Sequence, residues 1–122
     1  MSRPAALIVE DQPFIGMVAS DILRESGFET FHAYDATAAV GILVEHPEIE
    51  VVVTGAKLPG DVDGLEFARR VSRERPDVQL VVTSAEEGLS SDIPQGARML
   101  HKPYASGELK TLVAAKSLLA EA

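Results

Sequence analysis

The sequence predicts an α/β fold: a doubly wound, five-stranded parallel sheet in the order 2-1-3-4-5, with a short or irregular fourth helix between its last two strands. Three observations lead there. Short apolar runs recur five times, each stopped by turn residues, which is how strands buried on both faces read. Stretches with apolar residues at helical spacing lie between most of them. Parallel neighbours also need long, right-handed crossover connections, and such an alternation supplies them. At 122 residues, 46% of them hydrophobic, the chain fits one domain over its whole length, 1–122.

The first strand is Ala5 to Val9 (AALIV), ending in the acidic pair Glu10 and Asp11. Pro13 suits the first turn of a helix, and Phe14, Ile15, Val18, Ile22 and Leu23 recur at helical spacing until Gly27 stops it. Phe28 to Tyr34 is the second strand, and Asp35 caps a helix from Ala36 to about Glu45, closed by His46-Pro47. The third strand ends at Gly55, and its helix runs from Gly64 to about Arg75, with Leu65, Ala68 and Val71 on one face and Arg69, Arg70 and Arg73 on the other. Val78 to Ser84 and Arg98 to Lys102 are strands four and five. Ser106 caps the last helix, whose inward stripe is Leu109, Leu112, Val113 and Leu119. Ala85 to Gly96 breaks the rhythm: Gly88, Pro94 and two serines allow one helical turn at most.

Composition narrows the function. Nineteen acidic against eleven basic residues give a net charge of -8, and no Lys/Arg run is visible, which disfavours direct nucleic-acid binding or attraction to an anionic membrane. Cysteine is absent, so neither a disulfide framework nor a thiolate metal site is available, and a reducing cytoplasm fits. The apolar run after Met1-Ser2-Arg3-Pro4 is too short for a signal peptide or a membrane span. His32, His46 and His101 show no metal-binding spacing and are expected at the surface or partly buried.

The chain is organised around VVVTGAKLPGDVDG, Val51 to Gly64, where an apolar run gives way to a Pro/Gly/Asp-rich loop. In open parallel sheets ligands meet the carboxyl ends of the strands. The predicted strand order sets strands one and three side by side, which gathers Glu10, Asp11 and Gly55 at one rim. Gly55 has no side chain to aim.

Taken in order, LIVEDQP, LPGDVDGLE, VVTSA and HKPY resemble the receiver domain of two-component response regulators over nearly the entire chain. The resemblance implies a flavodoxin-like fold. It also implies that the acidic pair, here Glu10 and Asp11, holds Mg²⁺, that an Asp ending strand three accepts a phosphoryl group, that a strand-four hydroxyl, here Thr83, contacts it, and that a strand-five lysine, here Lys102, pairs with it. The Lys57 backbone carbonyl is implied as a further metal contact, Met99 and Tyr104 fall on the implied signalling face, and a cis Lys102-Pro103 bond is a family expectation. The implied partners are a sensor histidine kinase or phosphotransfer protein and a downstream signalling protein.

Counting back from Leu58-Pro59-Gly60 places the phosphoacceptor position at Gly55, so the nucleophile is missing. Thr54 should point to the opposite side of its strand, and Asp61 and Asp63 are better explained as turn formers. Losing the third acid removes a repulsion of roughly 4 kcal/mol for charges about 4 Å apart at a dielectric near 20. Mg²⁺ is therefore expected to bind weakly or not at all, with Lys102 pairing to Asp11 or Glu10. Met99 stands where receivers commonly carry a switching aromatic residue, so the usual coupling is not expected. The leading reading is a pseudo-receiver in phosphorelay signalling, not an enzyme, acting through protein contacts. The alternative is a small flavodoxin-like ligand-binding or enzymatic domain using Glu10, Asp11 and Lys102, although no phosphate-cradling Gly-rich loop follows strand one.

Overall fold

The structure is a computed structural model describing residues 4–86 and 92–121. Nine elements follow in order: β1 Ala5–Val9, α1 Pro13–Glu25, β2 Glu29–Ala33, α2 Ala36–Glu45, β3 Ile49–Gly55, α3 Gly64–Glu74, β4 Gln79–Ser84, β5 Arg98–His101 and α4 Ser106–Glu121. The strands form one parallel sheet in the order β2-β1-β3-β4-β5. This is the doubly wound order expected from the sequence. Among the described residues no helix connects β4 to β5; the one turn allowed within Ala85 to Gly96 falls partly on residues 87–91, outside the described residues.

Local chemistry sets the element ends. Pro13 occupies the first turn of α1. At its other end Gly27 turns left-handed (φ 96°), its N–H donating to the Arg24 carbonyl at 3.0 Å while the Phe28 N–H donates to Leu23 at 3.1 Å. That bond pair satisfies the last carbonyls of the helix, and buried Phe28 and Leu23 belong to the same core cluster. Asp35 caps α2, its carboxylate accepting from the Ala38 N–H at 2.8 Å. For α4 the expectation shifts: Ser106 is the first helical residue, and the Glu108 carboxylate reaches back to the Ala105 N–H at 3.1 Å, half of a capping box.

Strand alternation divides the core into two clusters. One side of the sheet carries Leu7, Val9, Val52 and Val82 against α2 and α3, with Phe67 at its centre. The other carries Ile8, Val51, Val53, Val81 and Leu100 against Ala19, Ile22 and Leu23 of α1 and Leu109 and Val113 of α4. On α3 the expected face holds, with Ala68 and Val71 buried and Leu65 partly buried against the same cluster, and fully buried Phe67, absent from the expected stripe, joins them. The α1 stripe differs from expectation. On α1, Phe14 is 76% exposed and Val18 is exposed too; they sit beside the inward stripe and line a surface cavity with Tyr104. Leu119 lies outside the residues whose side chains are described.

Candidate functional site

Alternation along each strand assembles the site. Ile8, Val53, Val81 and Leu100 all face the α1/α4 side of the sheet. Two residues further on, the same face carries Glu10, Gly55, Thr83 and Lys102 at the carboxyl ends of β1, β3, β4 and β5. Gly55 pairs directly with Thr83 in the ladder. Four of the residues singled out in the sequence therefore converge, one from each of four neighbouring strands.

Glu10 is 3% exposed. One carboxylate oxygen accepts from the Lys102 ammonium at 2.5 Å and the other from the Gln12 N–H at 3.1 Å. The Lys102 side chain is only 18% exposed, and its own N–H is fixed to the Ser84 carbonyl at 2.8 Å. Both charges are thus largely out of water, where pairing is needed to offset desolvation. Asp11, next in sequence, points to solvent. Of the two acids, Glu10 is the one turned into the site.

Gly55 leaves room above β3. A Cβ built there would meet the Lys57 carbonyl oxygen at 3.4 Å, a Leu58 methyl at 3.6 Å and the Val9 carbonyl oxygen at 3.8 Å, all ordinary contacts. Thr83 is 2% exposed, its hydroxyl 3.5 Å from the Thr54 carbonyl, a long and weak bond. Thr54 is fully buried, and its hydroxyl donates to the Gly55 carbonyl at 3.0 Å. The Asp63 carboxylate accepts from the Leu58 N–H at 3.2 Å, closing the β3–α3 loop on itself. The exposed Lys57 ammonium pairs with Glu86, strapping that loop to the one after β4.

The two residues assigned to a signalling face separate. Met99 packs half-buried against the α2/α3 cluster, whereas Tyr104 packs against the α1/α4 cluster, on the other side of the sheet. Burial, with the Glu10 charge second, pushes the Tyr104 hydroxyl above the usual phenol range. The Lys102-Pro103 peptide is cis.

Three contributors escaped the sequence reading. His32, expected at the surface or partly buried, is partly buried, and its unforeseen partner is the Glu10 carbonyl, to which Nε2 donates at 3.1 Å. Gly16 lets α1 lie on that imidazole: a Cβ there would fall 2.1 Å from the ring. Gly64 starts α3 so close to β3 that a Cβ would fall 1.8 Å from the Gly55 carbonyl oxygen. A glycine inside an otherwise helical pattern was the available signal for Gly16.

The family model described as the response regulator receiver domain matches residues 6–114. Sporulation initiation phosphotransferase F of Bacillus subtilis (strain 168) is 25% identical over 118 residues, covering 93% of each chain. Among solved structures, the signal receiver domain of an HD domain-containing protein from Pseudomonas fluorescens Pf-5 superposes with a TM-score of 0.82 at 26% identity, covering 93% of this chain and 94% of that one. The receiver domain of NtrX from Brucella abortus gives 0.79 at 28% identity, over 93% and 97%. No helix among the described residues is long and apolar enough to cross a membrane. The match runs from the first strand into the last helix, and the chain belongs to the response regulator receiver domain family of two-component signalling.

Proposed function

We propose that this receiver domain works without phosphorylation of its own, Gly55 standing at the phosphoacceptor position, and that it acts through protein–protein contacts with a sensor histidine kinase or phosphotransfer protein and a downstream signalling protein in the cytoplasm. One observation carries the reading: the strand end facing Glu10, Thr83 and Lys102 is a glycine, and glycine offers no oxygen to form an acyl phosphate. Thr54 is a poor substitute, buried on the opposite face with its hydroxyl committed to a carbonyl.

Mg²⁺, in this reading, binds weakly or not at all. A hard divalent cation needs several oxygen ligands. Glu10 is engaged by Lys102 and by the Gln12 N–H, Asp11 points to solvent, and position 55 contributes no carboxylate. Among the described residues no three Asp, Glu or His side chains are grouped to hold a metal ion. The charge on Glu10 that a metal would neutralise is already neutralised by Lys102. The same pairing weakens the ligand-binding alternative, whose best-placed charges are spent on each other.

The test is incubation with acetyl phosphate and Mg²⁺, read by intact mass, with beryllofluoride-induced NMR shifts as a second readout, for this chain beside Gly55→Asp. The expected result is modification of Gly55→Asp alone. Equal modification of the unaltered chain overturns the proposal.

A further inference from the structure

On the side of the sheet away from the rim residues, α2 is apolar almost all round. From Ala36 to Val44 it carries no charged side chain, and its outer residues include Gly41 and Val44, the latter 78% exposed. A helix of that composition ordinarily has a cover on every side. Val44 stands at the lip of a groove of about 200 Å³ between α2 and α3, floored by Val40, Leu43, Phe67 and Val71. Its charged lining is two bases and one acid, Arg70, Arg75 and Glu74, with half-exposed Arg70 held through Nε by Glu74, while exposed Glu45 follows Val44 on α2.

One surface therefore holds a projecting apolar side chain with an acid next to it, and an apolar slot whose charged lining, two arginines and one glutamate, is positive by one. A two-fold contact requires that combination, because each copy must supply both the insert and the receptacle. We propose that α2 and α3 form a self-association face on which two copies of this chain pack antiparallel. Val44 of each enters the groove of the other, and Glu45 of each meets Arg70 of the other. A second copy is favoured over an unrelated partner because Glu45 on the projecting edge complements the net positive charge of the slot on the same molecule, and the Arg70–Glu74 pair is exposed, so Glu74 leaves Arg70 free to share. Two helices of 10 and 11 residues give a modest contact, so the dimer is a concentration-dependent one. This inference is independent of the state of Gly55.

Sedimentation velocity from micromolar to millimolar protein tests it, using the full chain with Val44→Glu, Arg70→Glu and the charge-exchanged Glu45→Arg/Arg70→Glu, each checked for native circular dichroism. The expected result is a dimer that Val44→Glu and Arg70→Glu each weaken about tenfold or more and that the double exchange restores relative to Arg70→Glu. Three outcomes overturn the proposal: a monomer throughout the range, a dimer untouched by Val44→Glu, or a double exchange no better than Arg70→Glu. The first assigns the groove to a different protein, and the second assigns association to another face, such as the exposed Phe14 region of α1.

Discussion

The Lys102 ammonium and the Glu10 carboxylate meet at 2.5 Å although their strands, β5 and β1, are separated in the sheet by β3 and β4. Two long side chains close over the ends of both intervening strands, and at one of those ends, Gly55, there is no side chain beneath them. Removing one member leaves the other buried and unpaired, the costly case for a desolvated ion pair. Lys102→Met should therefore lower stability by about 3 kcal/mol in urea unfolding. The double Glu10→Gln/Lys102→Met should lose less than the two single changes summed, and an additive result would mean that the pair is not coupled.

Gly55→Asp is expected to fold, since the built Cβ makes contacts no closer than 3.4 Å. Its carboxylate enters a rim where Glu10 already holds the lysine, so without a divalent cation it should destabilise by about 1–3 kcal/mol. Mg²⁺ should recover much of that loss in the variant and shift the parent little, because binding to the folded state stabilises only where a site exists. Thermal melts with and without millimolar Mg²⁺ decide the matter; a parent chain that gains as much as the variant contradicts it.

Gly64 and Gly16 separate unyielding neighbours from yielding ones. At Gly64 an added methyl group meets backbone oxygen at 1.8 Å, and α3 must shift to admit it. Gly64→Ala should cost about 3 kcal/mol or more and disturb the amide signals of residues 55 and 56. At Gly16 the obstacle is the His32 ring. Gly16→Ala should accordingly be rescued in large part by His32→Ala, measured as a coupling energy in a double-mutant cycle.

Much of the fold was legible because its signals are local. Pro13 and Asp35 each announce a helix start through their own backbone chemistry, Gly27 likewise marks a helix end, and the valine-rich runs announce strands with both faces covered. The rim was legible because each motif abutted a strand end and strand order then fixed the neighbours. What stayed hidden depends on distance. Glu10 rather than Asp11 faces Lys102 because it follows Ile8 on the α1/α4 side, and sequence alone does not say which helices cover that side. Phe67 as the anchor of α3 and the approach of Gly64 to Gly55 follow from how that helix is set down on the sheet. His32 was unreadable for the same reason, since its partner, the Glu10 carbonyl, is 22 residues away.

Asp35→Ala should remove the carboxylate that accepts from the Ala38 N–H and cost about 1 kcal/mol, with Asp35→Asn close to neutral because either side chain caps. Equal losses from the two changes would point to the charge, not the cap.

Tyr104 gives the pH dependence. Burial first and the nearby Glu10 charge second disfavour its phenolate, so its folded-state pKa lies above that of the unfolded chain. The folded state then holds a proton that the unfolded state has released once the pH passes the usual phenol range near 10, and stability falls with rising pH from there. Below that range Tyr104 is neutral in both states and contributes no slope. Of the two tyrosines in the chain, alkaline absorbance titration at about 295 nm should show the Tyr104 signal, identified by its loss in Tyr104→Phe, ionising late. Glu10→Gln removes the second cause and should bring that titration part of the way back, leaving the larger effect of burial in place. An unshifted Tyr104 titration would mean that the ring is not held against the α1/α4 cluster beside Glu10.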